Sequence, residues 1–302
     1  MDFRLLLRSS VGRIGIVVVL FFILVALFAP IIASGDPAEF VGDPNQAPSA
    51  EHIFGTDPQG KDVFRQTVWG GRISLVIGFG TALLAVFVAV VIGMTAGFFG
   101  GIVDDLLTLL MNLFLVIPGL PLLILLAAYL QPSTGTVIGT LALTGWAFHA
   151  RIFRSQVLSL REKDFVAASI VSGEGNFTII FQQILPNMIN TIVGSFIGSL
   201  IYGIGAATAL SFLGLTEMTD VTWGTNLFWA QNGGALFAGA WWAFVPSGIC
   251  VALTAFGLSL INYGMDEITN PRLRAERELK EAVKNVVALR RVRATPVMRR
   301  MH

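Results

Sequence analysis

The sequence predicts an all-α membrane protein with six transmembrane helices and both termini on the cytoplasmic side. Three observations lead there. Of 302 residues, 54% are hydrophobic and only 13% charged, whereas roughly a quarter of the residues of an ordinary soluble domain carry charge. The apolar residues gather into six runs without a central charge, each near the ~20 residues a helix needs to cross a bilayer core of about 30 Å. The basic residues fall almost wholly on one alternate set of connecting segments.

The first span is expected at 14–33, after Arg4, Arg8 and Arg13. It is span-length and has no A-x-A-like end, so it reads as a retained crossing and not as a cleavable signal. The second, 73–97, runs into the cluster Gly97, Gly100 and Gly101. The third, 106–130, carries Pro118-Gly119 and Pro121, where a kink or break is expected. The fourth, 135–154, follows the turn Gln131-Pro132-Ser133-Thr134-Gly135. The fifth and sixth are 188–211 and 241–263. The uncharged stretch 221–240 is too rich in Gly, Asn and Gln for a crossing and reads as an interfacial or re-entrant helix.

Charge sets the orientation. With the N-terminus inside, inner segments hold seventeen basic residues, among them Arg151, Arg154, Arg161 and Lys163, against three outside, Lys61, Arg65 and Arg72. Those three share the long loop 34–72 with six acidic residues. The chain divides into 1–72, a first helix and external loop; 73–270, the membrane domain; and 271–302, a cytoplasmic tail with ten basic residues. The tail has a partly helical apolar stripe of Leu273, Leu279, Val283, Val286 and Val287. It reads either as an attachment to anionic headgroups or to a cytoplasmic partner, or as a solvated, frayed end.

Between the fourth and fifth spans lies the one soluble-looking insert, Arg161 to Asn187. It reads as two short helices parted by Gly173-Glu174-Gly175, because glycine relaxes the backbone at a helix C-terminus. In the second helix Phe177, Ile180, Phe181 and Ile184 stand at i, i+3, i+4 and i+7, which predicts one apolar face in need of a groove. Leu185-Pro186-Asn187 is expected to close the segment, since proline is tolerated where a new helix starts.

Catalytic readings are weak. Gly55 to Asp62 nearly spells a phosphate-binding loop, but Asp62 stands where a hydroxyl must ligate magnesium, and no strand precedes it. His52, His149 and His302 lack metal-ligand spacing, and Cys250 is a lone cysteine in an apolar run. Asp104-Asp105 reads as a pair of solvated acids at a helix N-terminus, with a proton relay as the alternative. No span has a charge near its middle, which argues against an ion-coupled carrier. Asn112, Asn190 and Tyr202 are candidates for a hydrated path, because a polar group facing lipid is costly. The small residues Gly194, Ser195, Gly198, Ser199, Gly203 and Gly205 suit close helix contact or a pathway wall.

The stretches His52-Ile53-Phe54-Gly55-Thr56-Asp57, Gly60-Lys61-Asp62-Val63, Gly71-Arg72-Ile73-Ser74-Leu75 and Gly97-Phe98-Phe99-Gly100-Gly101 with Asp104 form a recognisable set. They resemble the permeases of binding-protein-dependent ABC importers, specifically the second permease of dipeptide and oligopeptide systems. Ile117-Pro118-Gly119, the run Ala209 to Leu215 with Trp223-Gly224, and Asn270-Pro271-Arg272 also match, so the similarity covers about residues 50–274.

The resemblance implies a type I ABC importer permease fold in which 155–187 is the segment that couples to the ATPases. Asp164, Ala167, Ala168, Gly173, Phe177, Ile180, Phe181, Ile184 and Pro186 would then carry the coupling. Ala167-Ala168-Ser169 stand where the family has Glu-Ala-Ala, so docking would rest on apolar fit or on Asp164. Ile184-Leu185-Pro186 is a version of the family's ending shortened by one residue.

It further implies a second homologous permease, two ABC ATPase subunits that bind ATP and magnesium, an extracytoplasmic peptide-binding protein and surrounding membrane lipid. No cofactor is expected in this chain, no catalytic site and no nucleic-acid partner. The cargo expected is a di- or oligopeptide. Nickel or another small solute through the same machinery, an autonomous channel or carrier, and a scaffold without transport are the alternatives.

Overall fold

The computed structural model describes residues 9–269. The tail 271–302, the basic residues Arg4 and Arg8, His302 and the match at Asn270-Pro271-Arg272 lie outside the described residues. Everything regular within them is helical, and two isolated bridges, Phe40 with Lys61 and Thr56 with Asp62, tie the long loop to itself.

The first helix, α1 (Ser10–Leu27), is capped by Ser9, whose hydroxyl accepts from the Gly12 amide. A single turn, α2 (Ala29–Ile32), follows. The next, α3 (Val63–Phe99), has 37 residues and starts ten residues before the expected span. The reason is Asp62, whose carboxylate accepts the Arg65 amide at 2.9 Å and caps the helix there. At 1.5 Å per residue α3 is about 55 Å long, so it exceeds a bilayer core by several turns, and Arg65 and Arg72 ride on its excess.

Gly100 and Gly101, both at positive φ, break the chain between α3 and α4 (Gly101–Val116). Pro118 then separates α4 from α5 (Gly119–Tyr129), and the two helices meet at 86°, so the expected kink is a full break. After it, α6 (Thr134–Arg161) is capped by Ser133. The insert holds α7 (Asp164–Val171), the short turn α8 (Asn176–Thr178) and a π turn over Ile179–Ile184, which passes directly into α9 (Leu185–Phe212). The last helices are α10 (Trp223–Asn232) and α11 (Val245–Thr269), the latter preceded by one 3-10 turn, Trp241–Ala243.

Among the described residues, four helical runs are long and apolar enough to cross a membrane: Ser10–Leu27, Val63–Phe99, Asn176–Phe212 and Trp241–Met265. The bent pair α4 and α5 makes a fifth if it counts as one span. α6 has the length, but its threonines, His149 and arginines dilute its hydropathy.

The bundle is built on close backbone approach. A Cβ on Gly93 of α3 would stand 2.5 Å from the Ala150 carbonyl of α6, and one on Gly15 of α1 would stand 2.6 Å from the Gly257 carbonyl of α11. Larger residues there would force the helices apart. Ala85, Ala89, Phe153 and Val157 fill the α3–α6 seam.

At the opposite end from the insert, α10 is sunk into the protein and does not lie on its surface. Trp223 is 1% exposed; its amide donates to Ser74 Oγ at 3.1 Å and its indole to the Thr67 carbonyl at 3.0 Å. Asn226 donates to the Gln66 carbonyl and to Ser247 Oγ, both at 3.1 Å. With ten residues, α10 is too short to cross.

The near-phosphate loop proves structural. Asp57 Oδ1 accepts the amides of Gln59 and Lys61, its Oδ2 accepts from Gln66, and Asp62 caps α3.

Candidate functional site

Two features stand out, a projecting knuckle and a polar cleft at its root. The knuckle is the insert. Gly173, at φ 79°, ends α7: its own amide donates to the Ile170 carbonyl and the Glu174 amide to Ser169, the paired bonds of a Schellman turn. The sequence reading of two helices parted at Gly173 therefore holds.

The second half of the knuckle departs from expectation in two ways. First, Pro186 does not close the segment, because the chain runs on into α9. Proline has no amide to give the carbonyl four residues back; just before it the helix widens to a π turn in which the Leu185 amide reaches the Ile180 carbonyl, five back.

Second, the wider turn splits the predicted face. Ile179 and Ile184, five apart, point into the bundle at 1% and 0% exposure and pack with Val166, Phe153 and Met188. Ile184 is thus an internal packing residue with no surface to offer. Ile180 is half-buried against the same cluster. Phe177 and Phe181 turn outward at 74% and 49% exposure, their rings 4.3 Å apart. With Ile170 and Val171, also exposed, they make an apolar outer surface on a base locked into the core. Asp164, Ala167, Ala168, Gly173 and Pro186 are exposed beside them.

Beneath the knuckle, Arg154 of α6 grips Asp104 of α4 with both arms, Nε to Oδ1 at 2.5 Å and Nη2 to Oδ2 at 2.6 Å. Thr108 adds a bond to Asp104 at 3.1 Å. Asp104 is therefore a structural ion-pair member. Sequence offered no sign of the pairing, because fifty residues separate the partners.

The cleft lies between α6, α9 and α11 and has a volume of about 360 Å³. Its polar lining is His149, Asn190, Thr191, Ser195 and Asn262. Gly194 and Gly198 open it: a Cβ on the first would stand 3.4 Å from Asn262 Oδ1, and on the second 3.9 Å from the His149 ring. Gly203, five residues beyond Gly198, instead meets Gly78 and Thr81 of α3, so the small residues of α9 serve two purposes.

Of the three predicted path residues, the structure brings two to the α6–α9 face. Asn190 lines the cleft, and Tyr202 meets Thr144 of α6 through hydroxyls 3.1 Å apart. Asn112 stands elsewhere, on α4, where its carbonyl accepts from Arg151 at 2.6 Å. His149, Thr191 and Asn262 are the polar cleft residues that sequence reasoning missed. Proximity across three helices is their only signal.

Comparison with known proteins bears on this architecture. Residues 89–275 match the family described as the inner membrane component of binding-protein-dependent transport systems. Residues 3–48 match the N-terminal transmembrane domain of oligopeptide transport permease C. A dipeptide transport system permease protein of Bacillus subtilis is 32% identical over 90% of this chain and 85% of its own length. An oligopeptide transport system permease protein of the same organism is 32% identical over 90% of both. A putative peptide transport system permease protein of Brucella suis is 34% identical over 90% of this chain and 92% of its own. The helical bundle, its apolar spans and these matches agree: the chain belongs to the inner membrane components of binding-protein-dependent transport systems, multi-pass permeases of the cytoplasmic membrane.

Proposed function

We propose that this chain is the second of two permeases in an importer that carries di- or oligopeptides inward, driven by two separate ATPase subunits that bind ATP and magnesium. The observation that carries this reading is the knuckle: an exposed Phe177–Phe181 pair set on a fully buried base of Val166, Ile179 and Ile184. An apolar surface of this kind calls for a partner, and its rigid base would transmit displacement straight into α6 and α9. The permeases named for peptide transport supply the cargo class.

In this reading α6 is a crossing, its polar residues facing the pathway and the partner permease, which makes six spans. Both termini and the knuckle are then cytoplasmic, a placement that the distribution of Lys and Arg supports, and the loop 34–62 with the segment 213–243 receives the loaded external binding protein.

The test is Phe181→Asp in the assembled importer. A carboxylate on the docking surface removes the apolar fit, so ATP hydrolysis stimulated by the loaded binding protein should fall to the basal rate while the variant still inserts and is recovered in membranes. Wild-type stimulation in that variant would remove the knuckle from the coupling path.

A further inference from the structure

The cleft between α6, α9 and α11 holds more hydrogen-bonding capacity than the fold uses. His149 Nδ1 is buried with no partner among the described residues. Unpaired buried polar atoms are costly and uncommon, and the ring that carries this one forms part of the cleft wall. Around it stand the amides of Asn190 and Asn262 and the hydroxyls of Thr191 and Ser195, while Phe148 and Ile152 supply apolar wall. Among the residues whose side chains are described, no Asp, Glu, Lys or Arg lines the space. Its volume of about 360 Å³ falls within the ~300–1,000 Å³ typical of small-ligand sites.

This chemistry selects a class of guest. Each unit of a peptide main chain offers one N–H and one C=O, and imidazole, carboxamide and hydroxyl groups can each both donate and accept. Neutral groups of that kind satisfy an amide without regard to the side chain it carries. Apolar wall beside them accepts side chains of varied size. A fixed charge in the cleft would hold a peptide terminus firmly, whereas a conduit needs contacts weak enough to release. The walls also have a mechanical link. Asn190 stands four residues beyond Pro186 on α9, and His149 shares α6 with Arg154, so both walls lead straight into the knuckle.

We propose that this cleft is a transient binding site for the main chain of peptide cargo on its way through the permease, with His149, Asn190 and Asn262 as the recognising groups. The proposal rests on the peptide-import reading above and adds the site and its mode of recognition. Movement of the knuckle shifts α6 against α9 and so alters the cleft as the ATPases cycle.

The test uses the complete importer in proteoliposomes with its external binding protein and trialanine as the probe, with uptake and ATP hydrolysis read on the same sample. In His149→Ala/Asn262→Ala, trialanine uptake per ATP hydrolysed should fall about tenfold, the scale of a lost hydrogen bond, while stimulated hydrolysis persists because docking does not involve the cleft. The single change Asn262→Leu, close in shape but without the amide, should lower the same ratio. His149→Asn, which keeps a donor and an acceptor, should restore most of what His149→Ala loses. An unchanged ratio in the double variant and in Asn262→Leu overturns the cleft assignment and leaves peptide import standing. A wild-type importer that hydrolyses ATP and moves no trialanine overturns both.

Discussion

Arg154 and Asp104 form the strongest polar contact in the described residues, a two-armed pair held on a planar guanidinium that a lysine could not imitate. Both side chains are largely covered, at 26% and 15% exposure, so removing one partner leaves the other poorly solvated. Asp104→Ala should lower stability by about 1.5–3 kcal/mol, seen as a lower melting temperature of the permease in detergent; an unchanged melting temperature would show the pair to be ornamental. Asp104 illustrates what residue type alone conveys. An acid in a first helical turn is favourable in isolation, and nothing local distinguishes that state from an ion pair. The same holds for Ile184, whose apolar character was plain from sequence but whose inward direction was not.

At the scale of elements, the knuckle depends on two backbone devices. Gly173 at φ 79° lets α7 turn back; a β-branched residue there is strained by roughly 1–2 kcal/mol. Gly173→Val should therefore loosen the knuckle, raising amide exchange across residues 164–184 and weakening stimulated ATP hydrolysis, whereas the same change at Gly175, whose φ of −71° is ordinary, should do neither. The second device is the π turn before Pro186. Glycine at a helix end acts through its own φ, so the α7 turn was legible in sequence. The π turn was not, because a proline at that place is equally compatible with a helix start, and the choice rests on Ile179 and Ile184 both reaching the core. The early start of α3 belongs here too. Asp62 is a ready cap, yet Arg65 and Arg72 made the following turns look like loop.

For the whole molecule, the decisive question is how many times the chain crosses. With Cys250 replaced by alanine, single cysteines at Gln131 and Glu162, on either side of α6, should react with a membrane-impermeant maleimide from opposite faces of sealed vesicles. Cysteines at Phe237 and Val171 should share the faces of Gln131 and Glu162 respectively. Labelling of Gln131 and Glu162 from one face would remove α6 as a crossing and reduce the spans to five. Hydropathy, loop charge and the breaks at Gly100 and Pro118 follow from each residue's own solvation and φ, so the membrane class, the helical runs and their interruptions could be read along the chain. The inward turn of Ile184, the Asp104–Arg154 bridge, the sunken α10 and the polar cleft could not. Each depends on groups distant in sequence meeting across packed helices, and on a shift of helical register set by burial, for which a linear pattern carries no signal.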